Sequence, residues 1–207
     1  IPWEAKAHIM ELTDRQHAII VGSMLGDGML EKRWRYPRLR FGHGIAQQEY
    51  LFWKYRELQS IAGKSPIRVS AWHKAMGKRY EGIHFGTRAL PALMRYWTAF
   101  YQNGRKTIPD DIDAILTDPL SLAVWLMDDG YKRNDCNALR LSTDAFSDQE
   151  QAKLQFALEN NFGIKSKLHK KGKYHNVYIA RADAKRFVSI VRPYIISAFS
   201  YKIALAL

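Results

Sequence analysis

Two short stretches constrain this chain more than any other feature. "IVGSMLGDG" at 20–28 and "LAVWLMDDG" at 122–130 are apolar runs that each end in aspartate and glycine. Both carry helix-boundary signals. Thr13 and Gln16 make a capping-box pair ahead of the first run, which predicts a helix over about 14–26, stopped by Gly28. Thr117 or Asp118 can cap the second, Pro119 suits its first turn and Gly130 stops it. One such helix alone is ordinary core. Two of them, with matching flanks, describe a repeated unit.

The flanks do match. After the first run come strand-like 38–43, helix-like 46–61, strand-like 67–74 and 79–86, and helix-like 89–101. After the second come strand-like 138–144, helix-like 147–161, strand-like 164–170 and 174–181, and helix-like 182–195. Each half reads α, one or two strands, α, two strands, α. This is a diverged internal duplication, with halves at 14–102 and 118–205 and a linker at 103–117.

Ala18, Gly22 and Gly26 recur every fourth residue on one face of the first helix. Such a face lets a second backbone approach closely, and Ser121 and Ala123 offer small residues on the other helix. Packed about a pseudo-two-fold axis, the pair brings its C-terminal ends together. Each end already carries a partial negative charge from the helix dipole. Asp27 and Asp129 add full charges there, so the arrangement calls for a cation. Two carboxylates and nearby carbonyls make an all-oxygen site suited to Mg2+. A divalent metal between carboxylates is a device for phosphodiester cleavage.

The balance of charge agrees. The 207 residues include 32 Lys and Arg against 20 Asp and Glu, a net charge of +12, which favours a polyanion. No apolar run reaches the ~20 residues of a membrane helix, so nucleic acid is the expected partner rather than lipid. Cys136 is the only cysteine, which leaves no disulfide framework and no cysteine zinc site. The "GKS" at 63–65 lacks the earlier glycine of a phosphate loop, because Leu58 stands in its place.

The paired motifs at this spacing resemble the LAGLIDADG homing endonuclease family. "RKTIPDDIDAILTDPLSLAVWLMDDG" at 105–130 and "RPYIISAFSYKI" at 192–203 are similar to its single-chain, two-motif branch, which includes the omega-intron endonuclease of yeast mitochondria. The resemblance implies an α+β fold: a pseudo-two-fold monomer of two αββαββα repeats. Two antiparallel saddle-shaped sheets would grip DNA, with the motif helices packed at the centre. It implies Asp27 and Asp129 as metal ligands, joined by the backbone carbonyls of Gly26 and Asp128. Lys106, before "TIP", and Lys202, near the end, resemble the basic pair beside the scissile phosphates. They also fall at equivalent places in the two halves. The implied cofactor is Mg2+, with Mn2+ able to substitute and Ca2+ supporting binding without cleavage.

Strand alternation then suggests the DNA-facing side chains. In the first half these are Arg33, Arg35, Arg38 and Arg40, then Arg68, Ser70, Trp72, Lys74, Lys78 and Arg79. In the second half they are Arg140, Lys165, Lys167 and His169, with Lys170, Lys171 and Lys173 around a hairpin tip. Two sheets of such strands span roughly 16–20 base pairs. Unequal halves imply an asymmetric site. The expected activity is a site-specific double-strand break with short 3′ overhangs that promotes intron mobility, from a mitochondrial intron-encoded protein. The alternatives are a group I intron RNA maturase and a non-catalytic DNA-binding regulator of the same fold.

Overall fold

The computed structural model describes residues 11–73, 75, 77–133 and 135–204. The first half runs α1 (Asp14–Leu25), β1 (Met29–Glu31), β2 (Arg38–Gly44), α2 (Gln48–Glu57), β3 (Ile67–His73), β4 (Lys78–Gly86) and α3 (Met94–Phe100). A short connection follows: β5 (Tyr101–Gln102), β6 (Arg105–Lys106) and α4 (Ile112–Ile115). The second half repeats the first as α5 (Pro119–Asp129), β7 (Gly130–Lys132), β8 (Leu139–Leu141), α6 (Asp148–Phe162), β9 (Lys167–Lys171), β10 (Tyr174–Ile179) and α7 (Arg181–Val191). Each half is therefore αββαββα. The sheets have matching orders, β1-β2-β4-β3 and β7-β8-β10-β9, with every neighbour antiparallel. No helix among the described residues is long and apolar enough to cross a membrane.

Local chemistry sets the helix starts. The Thr13 hydroxyl accepts from the Gln16 amide, and the Gln16 side chain accepts from the Thr13 amide. Asp118, rather than Thr117, caps α5 by accepting from the Leu120 amide, with Pro119 in the first turn. Helix α1 ends at Leu25 with Gly26 as its C-cap, within one residue of the expected extent but ahead of Gly28. The β5–β6 turn is an Asn103-Gly104 pair with both φ angles positive, a tight hairpin inside the stretch expected to be linker. Strands β1 and β7 supply the first strand of each expected αββαββα repeat, and helix α4 was not anticipated.

The two motif helices are buried almost all round and lie at the centre of one continuous core. They run in the same direction. The Ser121 hydroxyl donates to the Ala18 carbonyl at 2.9 Å. A Cβ at Gly22 would stand 2.4 Å from the Ser121 carbonyl, and one at Gly26 would stand 2.4 Å from the Asp128 Cβ. The small-residue face thus serves close backbone approach, and the parallel packing delivers both Asp-Gly ends to the same place.

Candidate active site

The helix ends gather three acids and three lysines. Asp27, Asp128 and Asp129 feel one another and the charges of Lys54, Lys106 and Lys202. Lys106 reaches in from β6 and donates to the Gly26 carbonyl at 2.7 Å. Lys202, from the C-terminal 3-10 turn, donates to the Met127 carbonyl at 2.7 Å and the Leu126 carbonyl at 3.1 Å. The two lysines therefore lie over the last turns of the two motif helices, one each.

Burial governs the protonation of this cluster. It raises the Asp129 carboxyl to about 7, helped by the neighbouring charges of Asp27 and Asp128. The Asp27 carboxyl rises for the same reasons, burial first and Asp128 second. Burial also lowers Lys106 and Lys202 to about 8, against the pull of the acids. Asp129 is half-buried and Asp27 keeps its side chain 43% exposed, and partial burial together with the crowding of three acids at the helix ends raises both. That is the environment a hard cation relieves, and the donor set of Asp27, Asp129 and the Gly26 and Asp128 carbonyls fits Mg2+. The Gly26 carbonyl, already accepting from Lys106, keeps a second lone pair.

Asp27, His43 and Asp128 also bring one potential ligand atom each within 4.8 Å of one another. This trio is a poorer cation site. The Asp128 carboxylate accepts from Lys54 Nζ at 2.7 and 2.9 Å, from the Tyr50 hydroxyl at 2.7 Å and from the Asp27 amide at 3.2 Å. Its lone pairs are occupied. His43, with Nδ1 3.7 Å from the Asp27 carboxylate, is driven down to about 4 by burial and by Lys54, so it is neutral near pH 7. Lys54 and Tyr50 belong to the site, and sequence reasoning missed both. The signal was present: Tyr50, Lys54 and Leu58 share one helix face, and a lysine there stands in a core position.

Each sheet turns one face away from the helices. In the first sheet cross-strand pairing puts Arg40, Gly42 and Gly44 with His84, Gly82 and Tyr80, and with Ile67, Val69 and Ala71. Asp27 lines the same concavity. Arg38 and Lys78 share this face, but Glu31 holds both Arg38, at 2.8 Å, and Arg40. Arg33 and Arg35 lie in the β1–β2 loop around Trp34, which is 88% exposed. Arg68, Ser70, Trp72 and Arg79 point to the opposite face. They pair with Ile83, Glu81 and each other, and Arg68 bonds Gln48 on α2 at 3.2 Å. The register of β3 thus puts Arg68, Ser70 and Trp72 on the helix-side face, and residues 67–72, all exposed, offer no apolar stripe to fix its parity. Lys74 lies outside the described residues.

In the second sheet Arg140 pairs with Tyr131 and Tyr178, and Lys167, His169 and Lys171 follow on the same face. Here the rings of His169 and Tyr178 stack at 3.8 Å. Lys170 faces the other way, opposite His175. Lys165 precedes β9 and sits 3.9 Å from Glu159. Lys173 occupies the hairpin tip beside Gly172, over the Tyr174 ring.

Comparison with known proteins follows this architecture. The chain is 32% identical to the cytochrome b mRNA maturase bI2 of Debaryomyces hansenii over 195 residues, 89% of this chain and 72% of that protein. It is 30% identical to the DNA endonuclease I-ChuI of Chlamydomonas applanata over 215 residues, 94% of this chain and 97% of that one. The fold is similar to that of the homing endonuclease I-WcaI bound to its DNA recognition sequence, with a TM-score of 0.88 and 24% identity across 95% of this chain and 88% of that one. A profile of the LAGLIDADG DNA endonuclease family matches residues 17–187. With two Asp-Gly helix ends joined at the centre of two matching sheets, this chain belongs to the LAGLIDADG DNA endonuclease family.

Proposed function

We propose that this chain is a monomeric homing endonuclease that makes a staggered double-strand break in a long asymmetric DNA site. The observation that carries this reading is the meeting of the Asp27 and Asp129 carboxylates, at the two motif-helix ends, with Lys106 and Lys202 beside two open sheet faces. The halves, 14–102 and 118–205 joined by 103–117, each supply one sheet and one catalytic aspartate. Arg140, Lys167, His169 and Lys171 contact one half-site; Arg38, Arg40 and Lys78 contact the other. Trp34 and its flanking Arg33 and Arg35 extend that reach.

Hydrolysis adds a water oxygen to phosphorus and breaks the bond to the 3′ oxygen, leaving a 5′ phosphate and a 3′ hydroxyl. The water loses a proton and the departing oxygen gains one. Asp27 and Asp129, with the Gly26 and Asp128 carbonyls, would hold Mg2+, which when bound polarises the phosphoryl oxygens and lowers the pKa of water. Lys106 and Lys202, at about 8, can both stabilise charge on the phosphoryl group and exchange a proton near neutral pH. Each lysine works beside the end of one motif helix, so each centre serves one strand. Mn2+ is expected to substitute for Mg2+, and Ca2+ to support binding alone.

A group I intron maturase is the second reading, favoured by the similarity to the bI2 maturase over most of this chain. It is compatible with the first, because intron RNA can use surfaces away from the sheet faces. Either activity fits an organellar, mitochondrial intron-encoded origin.

The test is to incubate the protein with a randomised duplex library and Mg2+ and to sequence the cleaved ends. A long asymmetric consensus with 3′ overhangs, absent in Asp27→Asn and Asp129→Asn, supports the reading. A consensus that is bound and never cut makes the chain a regulator. Selection of intron RNA with no duplex makes it a maturase alone.

A further inference from the structure

The two centres differ in what lies behind their aspartates. Asp128 precedes Asp129, and the residue in the equivalent place before Asp27 is Gly26. The sheets give the rest of the alignment. Met29, just past the first Asp-Gly, pairs with Arg40, and Tyr131, just past the second, pairs with Arg140. Helices α2 and α6 begin the same distance beyond those arginines, so Lys54 corresponds to Leu154 and Tyr50 to Glu150. Glu150 is engaged elsewhere: it completes the α6 capping box and accepts from Arg105 and from the Ile108 amide.

The first half therefore provides a buried ammonium and a phenol hydroxyl where the second provides leucine and a capping acid. Both side chains of the Lys54–Asp128 pair are 0% exposed. Lys54 also lies over the rings of Tyr50 and Phe41, at 4.5 and 4.9 Å. The pair fits only because position 26 is glycine, since a Cβ there would collide with the Asp128 side chain. One acid can occupy this gap, and it comes from the second motif.

Asp128 sends one contact onward, accepting from the backbone amide of Asp27 at 3.2 Å. Resting on the endonuclease reading above, we infer that Asp128, clamped by Lys54 and Tyr50, is a positioning residue for the Asp27 centre alone. The pair fixes the backbone from which the Asp27 carboxylate projects. The Asp129 centre lacks the equivalent clamp, because Gly26 has no side chain to give it and Leu154 could not hold one. The two strands of the target should therefore depend on this pair unequally.

Two double variants isolate the effect. Lys54→Met with Asp128→Leu replaces the ion pair by apolar groups of similar size, which leaves no buried charge unpaired. It removes the acceptor for the Asp27 amide. Lys54→Gln with Asp128→Asn removes the charges but keeps an acceptor. Two measurements are made on each folded protein: hydrogen exchange at the Asp27 amide, by NMR, and single-turnover nicking of each strand of the library-selected duplex. In the apolar variant, Asp27 amide protection and the nicking of one strand should each fall about tenfold, the worth of one hydrogen bond. The other strand should be unaffected, and the amide variant should keep the Asp27 amide protection of wild type. Equal slowing of both strands overturns the inference, as does unchanged Asp27 protection. It also fails if the amide variant loses Asp27 protection as the apolar one does, since Asp128 would then act through its charge. Should wild type cut neither strand, the endonuclease reading fails and the amide measurement still decides the positioning claim.

Discussion

The open faces of the two sheets occupy equivalent places and present different chemistry. In the first sheet Glu31 ties up Arg38 and Arg40, and beside them come Gly42, Gly44, Gly82, Ile67, Val69 and Ala71, with His84, Tyr80 and Lys78 on β4. Beside Arg140 in the second come Lys167, His169, Lys171 and Tyr178. The stretch of glycines and apolar side chains on the first face suits shape and thymine-methyl contact, whereas the run of Lys167, His169 and Lys171 on the second suits phosphates and the hydrogen-bonding edges of bases. Behind the faces the halves differ again, with Lys54 and Asp128 on one side and Leu154 and Gly26 on the other. Duplication has kept the strand order and the helix-end acids, which the joint core and the shared centre require. Side chains that do not meet across the axis have been at liberty to diverge. A chain built this way can address an asymmetric duplex with one polypeptide.

The sharpest way to break this comparison is to exchange equivalent core residues. Lys54→Met strands the buried Asp128 carboxylate and should cost about 3–5 kcal/mol, whereas Leu154→Met should cost less than about 1.5 kcal/mol, as read by chemical denaturation. Similar losses would mean that the ion pair has no special place in the fold. Next in size, Lys106→Met and Lys202→Met should each slow single-turnover cleavage by about 10²–10³, with DNA affinity in Ca2+ preserved. Each should act on a different strand, and loss of the same strand in both would contradict one lysine per centre.

A smaller effect concerns stability and pH. In the metal-free protein the Asp129 carboxyl titrates at about 7, above the usual carboxylate value of 3.8. Its protonated form is therefore favoured by folding, and that contribution is lost as pH rises through 7. Asp129→Asn imitates the protonated form. It should raise the Tm most at pH 8, where the native side chain is ionised, less at pH 5, and leave it nearly unchanged at pH 3, below the unfolded value of 3.8. The same linkage predicts that Mg2+ binding, read by calorimetry, weakens as pH drops below 7, because protons compete for the carboxylates. The smallest effect sharpens the contrast between the faces. Lys167→Met should lower the slope of log affinity against log salt by about 0.9, and Val69→Ala should weaken binding without changing that slope.

Much of this organisation was legible in the chain. The capping pair Thr13 and Gln16, the Asp118-Pro119 start and the small residues at Ala18 and Gly22 gave the central helices and their close packing. The paired Asp-Gly endings gave the centre. What escaped has physical reasons. The repeat pattern called for β1 and β7, but their positions had no alternation to mark them, since each is three residues long. In β3 residues 67–72 are all exposed, so nothing in their pattern marks which face meets the helices. Arg38 and Arg40 read as unpaired cations because Glu31, their partner, lies across a turn. Lys54 was readable as an anomaly on an apolar helix face, but its partner lies in the other half, and only the fold brings Asp128 to it.

The central claim is that two helix ends, one from each half, form two centres that divide the strands between them. A duplex carrying the selected site, labelled with a different fluorophore on each strand, tests it directly in Mg2+ with Asp27→Asn and Asp129→Asn. The account predicts that each variant becomes a nickase, one sparing the top strand and the other the bottom. If both variants spare the same strand, or if each loses both strands to the same extent, the centres are not divided in this way and the account is wrong.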